Sequence, residues 1–229
     1  MKYKFIDLFA GIGGIRLGFE NAAKSKGIET NCVFSSEIDK YCIQTYITNF
    51  GKTNFYGDIT KLGSNENLIK TIPNFNILFA GFPCQPFSQA GLRKGFDDTR
   101  GTLFFEIQRI LAAKKPSMFL LENVKQLKGH DKGNTLKTIL GILSGDGFDL
   151  FENNQIKDSL SKTHNQKLNY HIEYKVLKST DFGVPQNRHR IFIVGFSRDY
   201  FQEDIFNKFK WPTPFGLPTS VQQILEHDY

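Results

Sequence analysis

The residues best equipped for chemistry in this chain are a cysteine, a glutamate and two arginines, each beside an apolar run. Cys84 lies in Gly81-Phe82-Pro83-Cys84-Gln85-Pro86-Phe87-Ser88, straight after a strand-length apolar stretch. Prolines on both sides fix the backbone around it. A loop at the C-terminal end of a strand is where open α/β sheets place their ligands. A lone cysteine is more often a small buried hydrophobe; this setting fits a nucleophile. Glu122-Asn123 follows the apolar residues 118–121. If those two strands are neighbours, a thiolate and a carboxylic acid meet, one to attack and the other to move protons. Taken alone, Glu122 reads as a surface or capping carboxylate. Gln186-Asn187-Arg188-His189-Arg190 opens the last apolar run. Alternation along an extended segment puts Arg188 and Arg190 on one face, suited to a phosphate, a base or a carboxylate. An isolated arginine pair reads as a solvated edge.

A second constellation lies near the N-terminus. Phe5 to Gly14, sequence FIDLFAGIGG, is a strand that enters a glycine-rich turn before a helix. Glycine permits positive φ and lets backbone approach a ligand closely, and the helix start offers N–H groups. Glu37 closes the next strand, where a carboxylate can bond ribose hydroxyls. Asp7 precedes the turn, and Asp58 ends a third strand region in Gly57-Asp58-Ile59-Thr60. Acidic groups around the turn suit a ligand carrying an ammonium, a ribose and an adenine amine, and suit a pyrophosphate poorly. The spacing Gly11-Ile12-Gly13-Gly14 also departs from G-x-G-x-x-G. The expected ligand is therefore S-adenosylmethionine rather than a nicotinamide dinucleotide. The glycines alone would equally serve a tight turn with no ligand.

These residues need a scaffold that brings strand ends together. Strand-length apolar runs at 3–9, 32–36, 76–80 and 118–121 alternate with helix-period segments at 14–24, 40–49, 103–113 and 135–143. That alternation predicts an α/β fold with a mostly parallel sheet and helices on both faces. Two late strands, 171–177 and 190–196, lack a helix between them and are expected to form an antiparallel pair at one edge. Residues 88–100 hold two glycines and mixed charges, as a mobile lid would. The polar stretch 151–167 reads as a surface insertion. Residues 1–210 form the expected catalytic domain. Residues 211–229 read as a linker leaving it, with a short helix at 220–226.

Bulk composition narrows the class. A chain of 229 residues, 40% hydrophobic and 23% charged, can bury a real core. Its net charge of +6 suits a phosphate-backbone partner without forming a basic tail. Cys32, Cys42 and Cys84 are an odd, widely spaced set that fits neither a disulfide framework nor a metal site. A reducing cytoplasm is the expected setting. Asp7 and Arg16 interrupt the apolar N-terminal run, against a signal peptide, and no run reaches membrane-span length.

In order along the chain stand DLFAGIGG, SSEIDKY, GDIT, GFPCQPFSQAG, DDTRGTLFFEI, LLENVKQL, GNTLKTI and GVPQNRHRIFIVGF. In this order the chain closely resembles the cytosine-C5 DNA methyltransferases of bacterial restriction-modification systems, from Phe5 to about residue 225. The resemblance implies a Rossmann-like S-adenosylmethionine-dependent methyltransferase sheet acting on double-stranded DNA. It implies that Phe9, Ala10, Gly11, Gly13, Gly14, Glu37, Ile38, Asp58, Ile59, Pro83 and Leu103 line the cofactor site. Cys84 would attack C6 of a flipped-out cytosine, with Glu122 at the base and Arg188 and Arg190 positioning the reacting groups. Phe82, Gln85, Ser88 and Asn123 would line the substrate side. No metal is implied. The family's target-recognition region and returning C-terminal helix would follow the last matched motif. The fold is therefore expected to be incomplete at its C-terminus, as in a split or truncated enzyme or a fragment. A second polypeptide would then carry recognition, and the chain alone would be weakly active. The competing readings are an inactive remnant that binds cofactor or partner, and an RNA cytosine methyltransferase of the same fold.

Overall fold

The computed structural model describes residues 2–51, 54–63, 66–83, 103–146, 168–216 and 219–225. Seven strands form one sheet: β1 (Lys2–Leu8), β2 (Glu29–Ser36), β3 (Phe55–Tyr56), β4 (Ile77–Gly81), β5 (Met118–Val124), β6 (Tyr170–Lys178) and β7 (His189–Ser197). Their order is β3-β2-β1-β4-β5-β7-β6. The first five pair in parallel, while β7 runs antiparallel to both β5 and β6. The expected antiparallel pair is thus present, and β7 rather than β6 joins it to the parallel strands. Chain order reverses beside β1, between β2 and β4, so a crevice opens above the C-terminal ends of β1 and β4.

Helices cover both faces. Helix α1 (Gly14–Ser25) turns Ile15 and Phe19 onto a small cluster of Phe5, Cys32, Ile77 and Phe79. On the other face the larger core gathers Ile6, Leu8, Leu78, Ala80, Phe119 and Leu121 from the strands. Over it lie α3 (Ile59–Gly63), α4 (Glu66–Thr71), α5 (Leu103–Lys114) and α6 (Asn134–Ser144). Helix α5 buries Phe104, Ile107, Ile110 and Leu111, the spacing of an amphipathic helix. Helix α2 (Lys40–Phe50) starts at Asp39, whose carboxylate accepts from the N–H groups of Tyr41 and Cys42.

Among the described residues, three short α-helices lie outside the sequence expectation, α3, α4 and α7 (Glu203–Lys208), as do the 3-10 turns Lys125–Lys128, His130–Gly133 and Ser179–Phe182. The tail also differs. Instead of leaving the domain at residue 211, it doubles back on the turn Ser179–Phe182. Phe215 N–H donates to the Asp181 carbonyl at 2.8 Å, and Thr219 Oγ1 donates to the Thr180 carbonyl at 2.8 Å. Phe215 meets the Phe182 ring edge-on. The expected helix at 220–226 is a single 3-10 turn, Val221–Ile224. The stretches 88–100 and 151–167 lie outside the described residues. Among the described residues, no helix is long and apolar enough to cross a membrane.

Candidate active site

The glycine-rich turn sits at the head of the crevice. Phe9 and Gly11 both have φ of 53°, and Gly13, at the N-cap of α1, has φ of 90°. Left-handed backbone at a residue other than glycine is a strained state, found where the fold over-determines it. Here Ala10 N–H donates to the Ser36 carbonyl, and Gly13 N–H closes the turn onto the Ala10 carbonyl at 2.8 Å. Gly13 is packed as well as twisted: a Cβ there would overlap the ring of Phe50 and come within 3.1 Å of Tyr46 Cδ2.

Glu37 follows β2 directly and points back at the turn. Its Oε2 accepts from Gly11 N–H at 2.9 Å, and its Oε1 accepts from the N–H groups of Ile38 and Asp39. A carboxylate has about four lone-pair sites, so three N–H bonds fix its orientation and leave room for a hydroxyl donor. Ile12 and Ile38 are solvent-exposed beside it, at 60% and 71%, as is Tyr41. Asp58 lies beyond the end of β3. Its Oδ1 accepts from the Thr60 N–H and hydroxyl, which hold its pKa below the ordinary carboxylate value. Leu103 opens α5, half-buried against the core. Ile59 buries its side chain in the core, 3% exposed, so only its backbone faces any ligand.

Asp7 corrects the sequence reading. It faces away from the crevice, 1% exposed, and its Oδ2 accepts from the Tyr46 hydroxyl at 3.2 Å. Burial pushes its pKa up to about 7, against the opposing pull of Tyr46 and Arg16. The folded state therefore favours the protonated acid. That contribution is complete below the unfolded value of 3.8 and is lost as pH rises through about 7. Stability should fall across this window, by at most about 4 kcal/mol for three pH units. Asp7→Asn should flatten the curve, as measured by urea melts at successive pH values.

The reactive end lies on β4 and β5. Glu122 and Asn123 fall inside β5 rather than beyond it, and so face opposite sides of the sheet. Glu122 pairs in register with Gly81, three residues before Cys84. It lies on the same face as the glycine turn. A Cβ at Gly81 would be 3.6 Å from Glu122 Oε2, 3.6 Å from Ile15 Cδ1 and 3.8 Å from the Phe9 carbonyl. Arg190 Nε meets Glu122 Oε1 at 2.7 Å. The same guanidinium donates to the His189 carbonyl. Arg188 is exposed just before β7. Its N–H and carbonyl are both bonded to Ser179, whose hydroxyl also bonds the Gln186 carbonyl. Both arginines line an open cleft of about 450 Å³ with Lys125, Gln126, Gln186, Asn187 and His189. Lys125, Gln126, Gln186, Asn187 and His189 lie outside the sequence expectation for the site.

Two further expectations change. Asn123, read as substrate-lining, is 2% exposed and donates through Nδ2 to the Phe82 carbonyl at 2.9 Å. Phe82 is itself 4% exposed, with its ring in the core against Phe104. Both anchor the loop that leaves β4 rather than offer a surface to substrate. Pro83 is exposed; Cys84, Gln85 and Ser88 lie outside the described residues. Cys32 and Cys42 are free thiols whose pKa values burial pushes up, the opposite of what a nucleophile needs.

A family model described as C-5 cytosine-specific DNA methylase matches residues 3–153 and 150–229. The chain belongs to this family. Among curated members it is 53% identical over 224 residues to Type II methyltransferase M.NlaX of Neisseria lactamica, covering 98% of this chain and 60% of that protein. With Type II methyltransferase M.SsoII of Shigella sonnei the figures are 47% over 225 residues, 98% and 50%. The chain thus spans about half to three-fifths of the length of these relatives. Among solved structures, Spodoptera frugiperda DNMT2 superposes with a TM-score of 0.66 at 24% identity, covering 99% of this chain and 60% of that one. The Entamoeba histolytica methyltransferase EhMeth gives 0.65 at 20% identity, covering 100% and 61%. At such identities the likeness is one of fold. In this member of the family, the glycine turn, the Glu122–Arg190 pair and Gly81 share one rim of the sheet.

Proposed function

We propose that this chain is the catalytic part of a cytosine-C5 DNA methyltransferase of a restriction-modification system. The observation that carries the reading is the meeting above Gly81 of the Phe9 carbonyl, Ile15 and the Arg190-paired carboxylate of Glu122, three residues from Cys84. S-adenosylmethionine fits the donor set at the turn. Glu37 is oriented for ribose hydroxyls, Ile12 and Ile38 offer apolar surface for an adenine, and Asp58 is held ionised nearby. Gly11, Gly13 and Gly14 would keep the backbone close to it, with Phe9, Ala10, Ile59, Pro83 and Leu103 around. When bound, the cofactor supplies an electrophilic methyl group.

The chain's own residues do the rest. Cys84 Sγ adds to C6 of a cytosine turned out of the duplex, which makes C5 electron-rich. Glu122, held by Arg190, contacts the base at N3 and its exocyclic amine and stabilises the attacked state. C5 would take the methyl group, with S-adenosylhomocysteine leaving, and the C5 proton is then lost to a base. The C6–S bond then breaks, returning the thiolate and releasing 5-methylcytosine. Gln85 and Ser88 are proposed to line the base pocket. Arg188 and Lys125 give the cleft a positive rim suited to the DNA backbone. The domain boundary near residue 210 stays in the proposal with the returning tail added. Target recognition would come from sequence beyond these residues, on a second polypeptide or a longer chain, in the cytoplasm where the substrate lies.

The test is covalent trapping. Duplex DNA containing 5-fluorocytosine has no C5 proton to lose, so the chain, with S-adenosylmethionine and its recognition partner, should form a stable adduct that maps to Cys84. An adduct formed with RNA alone, or none with a complete assembly, would overturn the assignment.

A further inference from the structure

Beneath the glycine turn lies a buried polar cluster that the chemistry above leaves unused. Tyr46, in the middle of α2, is fully buried. Its hydroxyl donates to Asp7 Oδ2 in β1, accepts from Arg16 Nη1 in α1 at 3.2 Å, and lies 2.8 Å from Ser35 Oγ in β2. Ser35 in turn lies 3.3 Å from Cys32 Sγ. Arg16 is anchored at its other edge by Glu20 at 2.9 Å and lies over the Phe50 ring at 4.3 Å. One oxygen atom thus ties together the strand that enters the turn, the helix that leaves it and the strand that delivers Glu37. The Tyr46 and Phe50 rings, 4.9 Å apart, form the floor beneath Gly13.

We propose that Tyr46 is a positioning residue for the cofactor, its hydroxyl fixing the distance between the Phe9–Gly13 turn and Glu37. The argument is geometric. Glu37 Oε2 reaches Gly11 N–H across 26 residues of sequence, and that bond forms only if β1, β2 and α1 keep their spacing. Ser35 is two residues from Glu37, Asp7 is two from Phe9 and Arg16 is three from Gly13, so each partner of the hydroxyl sits within one helical turn or strand repeat of a cofactor-facing residue. Removing the hydroxyl takes one partner from each of Asp7, Arg16 and Ser35 at the base of the site, leaving Arg16 on Glu20 and Ser35 on Cys32. The proposal rests on the turn being the site of S-adenosylmethionine.

The experiment is calorimetric titration of the full chain with S-adenosylhomocysteine, well below the melting temperature. Tyr46→Phe keeps the floor under Gly13 and removes only the hydroxyl. Tyr170→Phe is the matched control: Tyr170 is likewise buried and donates to the Pro116 carbonyl at 2.9 Å, but lies on the outermost strand, β6. Tyr46→Phe should weaken binding about 3- to 10-fold, the net worth of one or two hydrogen bonds, with Tyr170→Phe at the wild-type value. Ser35→Ala should move affinity the same way, and serves if Tyr46→Phe does not fold. Unchanged affinity in folded Tyr46→Phe would overturn the positioning role alone, as would an equal loss in both tyrosine variants. A wild-type chain that binds no cofactor would overturn the cofactor reading and this one with it.

Discussion

Glu122→Gln should lower methyl transfer by about 10²- to 10⁴-fold, the range for losing a positioned acid or base, while cofactor binding stays at the wild-type level. The substitution keeps the shape of the side chain, so β5 keeps its register with β4 and β7. It removes the charge that meets Arg190 at 2.7 Å and, on the proposed mechanism, the acid that contacts the base. Arg190→Ala should also slow the reaction, by releasing Glu122 from its orientation. Because the two side chains act as one unit, the double variant should be little worse than Glu122→Gln alone. Single-turnover methylation with a tritiated methyl donor, on the assembled enzyme, measures all three. Losses that multiply in the double variant would mean that the arginine works on something other than Glu122.

Gly13→Ala should cost about 2–5 kcal/mol of folding stability, combining left-handed strain with overpacking, and should weaken cofactor binding by more than Tyr46→Phe does. Two effects add here. The backbone at φ of 90° is one that alanine adopts poorly, and the new methyl group would enter space held by the Phe50 ring. The ring can give way only by leaving Arg16, whose guanidinium it carries at 4.3 Å. Gly14→Ala is the control, since a Cβ there meets nothing within 4 Å and the residue is already helical. Urea denaturation of the two variants separates strain from mere loss of glycine. If Gly14→Ala proved as damaging as Gly13→Ala, the packing argument would be lost.

Much of this scaffold is legible in the chain because its apolar runs differ in length and period. Residues 103–113 repeat at helical spacing, while 118–121 is a short continuous run, and both became the expected element. The short helices α3 and α4 escaped because five or six residues carry too little periodicity to rise above a polar loop. The geometry of the candidate site was legible at strand ends, where Glu37 turns to Gly11 N–H and Arg190 meets Glu122. Residues were misread where adjacency in sequence stood in for adjacency in space. Asn123 neighbours Glu122 along the chain, yet successive strand residues point to opposite faces, and it is buried; Phe82 follows β4 and puts its ring in the core against Phe104. Asp7 was misread for a related reason. A carboxylate within an apolar strand demands a buried donor, but the donor, Tyr46, lies 39 residues away on α2.

The pairing of β5 with β7 has a consequence for how such an enzyme goes wrong. Seven successive residue pairs, Met118 with Phe196 through Val124 with Arg190, decide whether Glu122 and Arg190 can meet. A slip by one residue would turn every β7 side chain to the other face of the sheet. Arg190 is therefore either against Glu122 or turned away from it, with no graded misalignment between. Damage to the edge hairpin should accordingly appear in the number of competent molecules in a preparation, and hardly at all in the speed of each one that remains.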